Sequence, residues 1–336
     1  MKKKLILLVT TICLASSIIA CGGNKTNNNN NANSGANNTK IEDVSTVNVI
    51  VPDGLPAIAA AKLIKENQSI KSNYNTKYSI EKTSENVVSS VLKEEADIAI
   101  VPSNVAATQY NKEAGYVIAG TVGWGSFYLI STDGESDINN LKGKEIYNIG
   151  KGLTPDIVAQ SILTDMGYNM DEFNFSYVNG VTELAPLLIA GKTSYAVIPE
   201  PALTQVASKQ NVVTILDLNE EWKKLNNSEY GYPQSTVIVK KDFYIKNKEY
   251  VDEFLDKLDD SCDFAKEASD TLGAYCEEIG VSANKDIIPQ AMIKANIDFE
   301  DIEDTHKEYN DYFKKLESFD ASTIGGKVPD EGIFME

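Results

Sequence analysis

Short apolar runs rich in β-branched residues alternate along the chain with amphipathic stretches of helical length. The apolar runs predict strands at residues 47–51, 97–101, 128–131, 145–149, 175–178, 195–198 and 236–239. Apolar residues at helical spacing predict helices over residues 57–67, 85–94, 155–166 and 183–190. Strands that alternate with helices form βαβ units, so the pattern predicts an α/β fold with mostly parallel sheets.

The last third of the chain has a different pattern, because helical spacing continues there without strands between the helices. From residue 248 onward, apolar residues such as Val251, Phe254 and Leu258 recur on one helix face. Shorter pieces of the same pattern cover residues 291–297 and 309–316. We therefore expect a C-terminal helical segment, ending near residue 318, beside the α/β body.

Four of the strand–helix junctions carry a proline, namely Pro56, Pro102, Pro155 and Pro201. A helix that begins there leaves free backbone N–H groups at the carboxyl edge of a sheet, where open α/β sheets bind ligands. Pro102 follows Pro56 by 46 residues, and Pro201 follows Pro155 by the same 46, with a similar helix–strand order between. This repeat predicts two similar lobes that face each other across a cleft.

The N-terminus has the features of a bacterial export signal. Three lysines precede an apolar stretch over residues 5–20, which is too short to span a membrane comfortably. The sequence Ile18-Ile19-Ala20-Cys21 resembles a lipobox, and an Asn-rich segment over residues 24–40 follows it. We predict a signal peptide at 1–20, a lipid on Cys21 and a tether at 21–44, which place the protein on the outer face of the cell membrane. Ordinary secretion with an incidental cysteine is the alternative.

Composition excludes several classes of function. The chain has 49 Asp and Glu residues against 31 Lys and Arg, for a net charge of −18, which disfavours nucleic acid as a partner. All 31 basic residues are lysines, so the bidentate guanidinium that often captures carboxylates is missing. One histidine, His306, and four cysteines are too few for a site built from several His or Cys ligands. We expect neither a metal nor another cofactor.

The two cysteines of the folded body, Cys262 and Cys276, lie fourteen residues apart in a predicted helical region. An unbroken helix would separate them by about 21 Å, which is too far for a disulfide. A bridge would require the chain to turn at Gly273. We expect two buried free thiols instead.

Several short motifs, in a fixed order, resemble one protein family. They are Leu141-Lys142-Gly143-Lys144, residues 150–156, residues 187–192, Ile198-Pro199-Glu200-Pro201 and residues 325–330. With these motifs, residues 47–334 resemble the solute-binding lipoproteins of ABC importers, and most of all the nitrate/sulfonate/taurine group and the related pyrimidine-precursor binders. The resemblance implies a two-lobed periplasmic-binding-protein fold of type II, in a monomer that binds a small molecule and delivers it to a membrane permease.

The same resemblance implies where the lobes begin and end. The chain crosses between the lobes near residues 122–127 and returns near 232–237. Lobe I then comprises residues 45–124, lobe II comprises 125–235, and residues 236–336 return to lobe I and form the C-terminal helices.

By position, the resemblance also implies a set of ligand contacts between the lobes. The implied residues are Asp53, Gly54, Leu55, Pro56, Ser103, Asn104, Trp124, Gly125, Gly152, Leu153, Thr154 and Glu200. Tyr232, just before the return crossing, is a further candidate, as is Tyr230.

Several of these residues have a second interpretation. Ser103 and Thr154 are either ligand contacts or helix N-caps, and for Thr154 the two roles are compatible. Trp124 is either a stacking platform for a ligand or a packed lid residue. Glu200 either accepts a hydrogen bond from a ligand or is a charged helix start favoured by the helix dipole.

The ligand class stays open at this stage. Helix N-termini, hydroxyls and Lys151 would hold a small anion. A planar heterocycle would stack on Trp124, with Glu200 or Asp53 bound to its edge, and we favour this second class. The rival functions are a lipoprotein that reports a ligand to a sensor, and an enzyme on the same fold. Catalysis is disfavoured because His306 has no evident orienting partner.

Overall fold

The computed structural model describes residues 44–66 and 70–336, which form two sheets flanked by helices. The strands are β1 (Ser45–Pro52), β2 (Tyr74–Glu81), β3 (Ile98–Pro102), β4 (Tyr116–Trp124), β5 (Phe127–Ser131), β6 (Glu145–Ile149), β7 (Asn174–Val178), β8 (Tyr195–Pro199), β9 (Val213–Asp217), β10 (Pro233–Lys240) and β11 (Ile297–Asp301). The first sheet has the order β11-β4-β10-β3-β1-β2, and the second has β7-β6-β8-β5-β9. The predicted α/β, two-lobed architecture is confirmed.

Helices follow most strands and cover both sheets. They are α1 (Leu55–Ala59), α2 (Ala61–Glu66), α3 (Ser84–Leu92), α4 (Ser103–Asn111), α5 (Thr154–Asp165), α6 (Val181–Ile189), α7 (Ala202–Ala207), α8 (Leu218–Asn226), α9 (Lys241–Lys246), α10 (Lys248–Lys266), α11 (Asp270–Ile279), α12 (Ile288–Met292) and α13 (Ile302–Asp320). Helix α13 is long and lies near the C-terminus, where the sequence predicts helices.

Both sheets are mixed, so the expectation of mostly parallel sheets is wrong in this respect. Strand β1 pairs in parallel with β2 and β3, and β6 pairs in parallel with β7 and β8. The strands that connect the sheets or return between them pair antiparallel, as β10 does with β3 and β4. A chain that leaves one sheet and later re-enters it has no βαβ crossover to keep the new strand parallel.

Four strands lack a counterpart in the sequence prediction: β2, β4, β9 and β11. In β4 every residue is buried, so no alternation of polar and apolar residues marks it. The predicted helix over 57–67 is two short helices that meet at Ala60. The predicted helical piece 291–297 is wrong at its end, because α12 stops at Met292 and Ile297 begins β11.

The largest apolar core contains residues of both sheets. Ile118 from β4 and Leu129 from β5 belong to it, together with Ile157 of α5 and Phe313 of α13. Helices α5 and α13 pack on each other, and an ion pair between Lys315 and Asp165 joins them. Separate cores lie under α10 and α11 on the first sheet and under α6 and α7 on the second. Consequently α5 and α7 cover opposite faces of the second sheet.

Cys262 lies on α10 and Cys276 on α11, and both are buried and free, as predicted. None of the helices in residues 44–66 and 70–336 combines the length and the hydropathy that a membrane span requires. The predicted signal peptide and lipidated Cys21 lie outside those residues.

Candidate functional site

The ends of β1, β3, β6 and β8 carry most of the predicted ligand residues, because α1, α4, α5 and α7 begin beside them. The structure distributes these residues among several groups with different surroundings.

Asn104 at the start of α4 and Thr154 at the start of α5 join the two lobes. The Thr154 hydroxyl donates to Oδ1 of Asn104 at 3.3 Å, and both side chains are buried. The amide of Asn104 also donates to the carbonyl of Thr323 at 3.3 Å. Two predicted site residues from different lobes thus meet through a direct hydrogen bond.

Ser103 takes part in a buried network inside the first lobe. Its hydroxyl donates to the carbonyl of Pro233 at 2.7 Å and lies 2.6 Å from the hydroxyl of Thr236. The Tyr309 hydroxyl continues the network, at 2.8 Å from Thr236 and 2.7 Å from Thr121. These bonds tie the end of β3 to β10, the strand that returns from the second lobe.

Neither Ser103 nor Thr154 caps its helix, so the N-cap interpretation is wrong for both. The residue before α4 is Pro102 and the residue before α5 is Leu153, and neither provides a side-chain cap. Gly152 has a φ of 73° and donates its N–H to Asp156 Oδ2 at 2.9 Å, while Leu153 is half-buried. The hydroxyls at these helix starts therefore bond to other elements.

Trp124 ends β4 at the crossing between the lobes. Its indole stacks on the ring of Tyr230, with centroids 4.8 Å apart and an interplanar angle of 22°. The side chain is 2% exposed, and its indole N–H has no hydrogen-bond partner in the part of the chain that the structure describes. An aromatic neighbour thus already covers one face of Trp124, and one buried donor is unused.

Gly125 and Tyr232 form the other half of the crossing. A Cβ at Gly125 would collide with the ring of Tyr232, so the two crossing segments approach closely only because residue 125 is glycine. Tyr232 is fully buried against Trp222 and Tyr312, and burial raises the pKa of its hydroxyl. Asn296 donates to the carbonyl of Gly125 at 2.5 Å.

Asp53 lies apart from these groups. Its Oδ1 accepts from the backbone N–H of Gly54 at 2.9 Å and from that of Ser282 at 3.0 Å, and Lys82 donates to Oδ2 at 3.1 Å. Burial raises the pKa of this carboxyl, but the bonds from Ser282 and Lys82 outweigh that effect and lower it. Leu55 lies in the core under α10, and Pro56 is in the first turn of α1.

Glu200 lies in a cavity of about 170 Å³ on the α7 side of the second sheet. It is 2% exposed, and both carboxylate oxygens accept hydrogen bonds from Thr204. Burial raises the pKa of Glu200, partly offset by the bonds from Thr204 and by the charge of Lys294. Lys294, from the first lobe, also lines the cavity.

Tyr309, Tyr312 and Lys294 are contributors that the sequence analysis missed. All three lie in the C-terminal third, which looks like a plain helical segment in sequence. The two tyrosines have the helical spacing of ordinary packing residues on α13, and Lys294 lies in the turn after α12. No sequence signal distinguishes them, because their role depends on which strands α12 and α13 approach.

His306 is on α13, one turn before Tyr309. Its ring stacks on Phe334 at a centroid distance of 4.3 Å, and Glu331 lies 3.9 Å from Nδ1. The described residues contain no group of three or more His, Cys, Asp or Glu side chains placed to hold a metal ion.

Comparison with known proteins gives structural neighbours only. No protein-family model and no curated protein sequence matches the chain. A crystal structure described as an ABC transporter from Parabacteroides distasonis is 25% identical, with a TM-score of 0.75 over 87% of this chain and 99% of that one. The periplasmic aliphatic sulphonate binding protein of Escherichia coli is 10% identical, with a TM-score of 0.68 over 87% of this chain and 92% of that one.

A third neighbour is the alkanesulfonate-binding protein of Xanthomonas axonopodis pv. citri, bound to MOPS. It is 10% identical, with a TM-score of 0.63 over 82% of this chain and 94% of that one. These two sulfonate-binding neighbours are named as binding proteins and not as enzymes. The chain therefore has the two-lobed fold of the type II solute-binding proteins of ABC transporters.

Proposed function

We propose that this protein is the extracytoplasmic solute-binding lipoprotein of an ABC importer, which captures a small organic molecule between its lobes and passes it to a membrane permease. The observation that carries the proposal is the shared two-lobed fold, which extends over 87% of the chain. The protein acts as a monomer, and its high negative charge is consistent with a small-molecule partner and not with nucleic acid.

The proposed ligand site is the boundary between the lobes, at the ends of β1, β3, β6 and β8. Support comes from Asn104 and Thr154, which bond to each other from opposite lobes. The unused indole N–H of Trp124 is a second support, because a buried donor without a partner favours a ligand that supplies an acceptor. Of the other predicted residues, Glu200 has the clearest access to an open space.

A ligand held between the lobes should stabilise the arrangement in which both lobes contact it, because it binds that arrangement best. The test is native mass spectrometry of the full chain purified from its own host, followed by thermal unfolding before and after removal of any bound molecule. We expect one small molecule to copurify and to raise the melting temperature. The proposal would be contradicted if no small molecule copurifies and no compound of a broad metabolite panel raises the melting temperature of the protein.

The lipid anchor is the part of the proposal that concerns Cys21. Because the thioether forms only at this sulfur, Cys21→Ala should release the protein into the medium or leave it unprocessed. Incorporation of labelled palmitate measures the attachment of lipid, and cell fractionation measures the release of the protein. Equal incorporation of label into the variant would show that Cys21 is not the attachment site.

A further inference from the structure

The cavity beside α7 is bounded by both lobes. Glu200, Thr204 and Thr214 line it from the second lobe, and Gln290, Ile293 and Lys294 line it from the first. Binding sites occur preferentially at domain boundaries, in concave spaces with a few polar groups placed among apolar ones. This cavity of about 170 Å³ has that composition and is of a size for a small molecule.

The second lobe contributes a negative charge that is held in place. The backbone N–H of Thr204 donates to one oxygen of Glu200 at 3.1 Å, and the Thr204 hydroxyl donates to the other at 3.0 Å. A carboxylate has about four acceptor positions, so these bonds orient Glu200 and leave it able to accept more. A donor bound in the cavity would complete its hydrogen bonding.

The first lobe contributes a positive charge whose backbone is fixed against the second lobe. The Tyr128 hydroxyl, from β5, donates to the backbone carbonyl of Lys294 at 2.8 Å. The Lys294 side chain is exposed, and its ammonium forms no ion pair within the residues that the structure describes. Its charge nevertheless acts on Glu200 and lowers the pKa of that carboxyl. Charges of opposite sign therefore border one cavity without neutralising each other through direct contact.

The remaining wall of the cavity is aliphatic. Leu203, Ala207 and Val212 contribute to it, and the side chain of Ile293 beside them is 78% exposed. An isoleucine with this exposure at the mouth of a cavity offers apolar surface that a bound aliphatic group would cover.

We infer that this cavity binds a small aliphatic amino acid as a zwitterion. The ammonium of the ligand lies at Glu200, its carboxylate lies at Lys294, and its side chain covers Val212 and Ile293. The inference rests on the proposed function and names the class of the captured solute. The chain has no arginine, and the single point charge of a lysine is sufficient to bind one carboxylate.

The test compares three probes of one shape by isothermal titration calorimetry with the full chain. L-valine carries both charges, isobutylamine lacks the carboxylate, and isovalerate lacks the ammonium. We expect L-valine to bind at least about tenfold more tightly than either of the others, because only it engages both Glu200 and Lys294.

Two variants assign the two charges. Glu200→Gln should weaken L-valine and isobutylamine at least about tenfold and leave isovalerate unchanged, whereas Lys294→Met should weaken L-valine and isovalerate and leave isobutylamine unchanged. Lys209→Met, which removes an exposed lysine just after α7, is the matched control and should change nothing. Because Lys294 is exposed, its variant provides the test even if Glu200→Gln lowers the yield of folded protein.

The inference is overturned if L-valine fails to bind at ~10 mM, or if Lys294→Met binds all three probes as the parent does. If a copurified solute without an ammonium group binds in place of L-valine, the amino-acid inference fails and the proposed function stands. If neither L-valine nor any copurified molecule binds, both fail.

Discussion

The junctions that follow β3 and β8 begin from the same sequence plan and reach different environments. Each strand ends in a proline, and a short helix follows. After β3, the Ser103 hydroxyl is enclosed in a network with Thr236 and Tyr309. After β8, the Glu200 carboxylate accepts hydrogen bonds only from Thr204 of its own helix start, and it borders a cavity.

The difference arises from the element that lies opposite each junction. Strand β10 runs beside β3 and brings the Pro233 carbonyl and the Thr236 hydroxyl within reach of Ser103. At the end of β8, the segment after α12 approaches from the other lobe and leaves a space between Glu200 and Lys294. A polar residue at a helix start therefore stabilises the crossing in one case and is open to a ligand in the other.

The largest expected effect is at Trp124, which lies at the crossing between the two lobes. Trp124→Ala should reduce the free energy of unfolding by about 3–5 kcal/mol, because it removes a buried ring that stacks on Tyr230. Urea unfolding followed by circular dichroism measures the loss. Trp124→Phe retains a ring and loses the indole N–H, so it should cost about 1 kcal/mol.

These variants also separate the two interpretations of Trp124. A Trp124→Ala protein that is as stable as its parent but binds solute 1–3 kcal/mol more weakly, roughly the value of an aromatic stack, would assign the ring to the ligand.

Removing the Ser103 hydroxyl should affect stability and not binding. Ser103→Ala removes the hydroxyl that donates to the Pro233 carbonyl and leaves Thr236 bonded only to Tyr309, so we expect a loss of about 1–3 kcal/mol in the free energy of unfolding. Ser208→Ala, at the exposed end of α7, is the control and should lose far less. If Ser103→Ala instead reduces L-valine affinity at unchanged stability, the β3 junction also contacts the solute.

The two strand-end carboxylates should respond to pH in opposite directions. Asp53 has a lowered pKa, so its ionised form stabilises the fold above its ordinary value of 3.8, and this contribution is lost as the pH falls through the lowered pKa. Glu200 has a raised pKa, so the folded state favours its neutral form and loses stability as the pH rises above 4.5 through the raised pKa.

At pH 7, therefore, Asp53→Asn should be less stable than the parent and Glu200→Gln more stable. The Glu200 difference should disappear as the pH falls toward 4.5, whereas the Asp53 difference should begin to shrink only as the pH falls below 3.8. Thermal unfolding of the three proteins between pH 3.5 and 8 measures this. If the difference in stability between Glu200→Gln and the parent does not change with pH, burial does not raise the pKa of this carboxyl.

The smallest effect is expected at His306. His306→Ala removes a half-exposed ring that stacks on the buried Phe334, so we expect a loss of about 0.5–1 kcal/mol in stability and no change in L-valine affinity. A tenfold loss of affinity, which corresponds to about 1.4 kcal/mol, would connect His306 to the site and would favour the enzyme alternative again.

The sequence predicted the α/β class, the strand–proline–helix junctions and the C-terminal helices, because all of these depend on local patterns. It missed β4 and β11 for a physical reason. Strand β4 is buried on both faces, so it has no alternation, and β11 is a short, largely acidic strand whose partner β4 lies far away in sequence.

The candidate site was predictable only in part. Asn104, Thr154 and Glu200 follow strand ends, and that position can be read from the sequence. Lys294 and Tyr309 cannot be found in this way, because they reach the junctions from the turn after α12 and from α13, far along the chain from those junctions.

By itself, the sequence determined which residues stand at helix starts and which charges are available. Helix starts depend on the propensities of neighbouring residues, and the available charges follow from the composition. Only the tertiary structure decided that Ser103 faces a strand rich in hydrogen-bond partners and that Glu200 faces a cavity shared with Lys294. The physical reason is that the role of a buried polar group depends on the groups that pack against it. Packing between segments that are distant in sequence decides which groups those are.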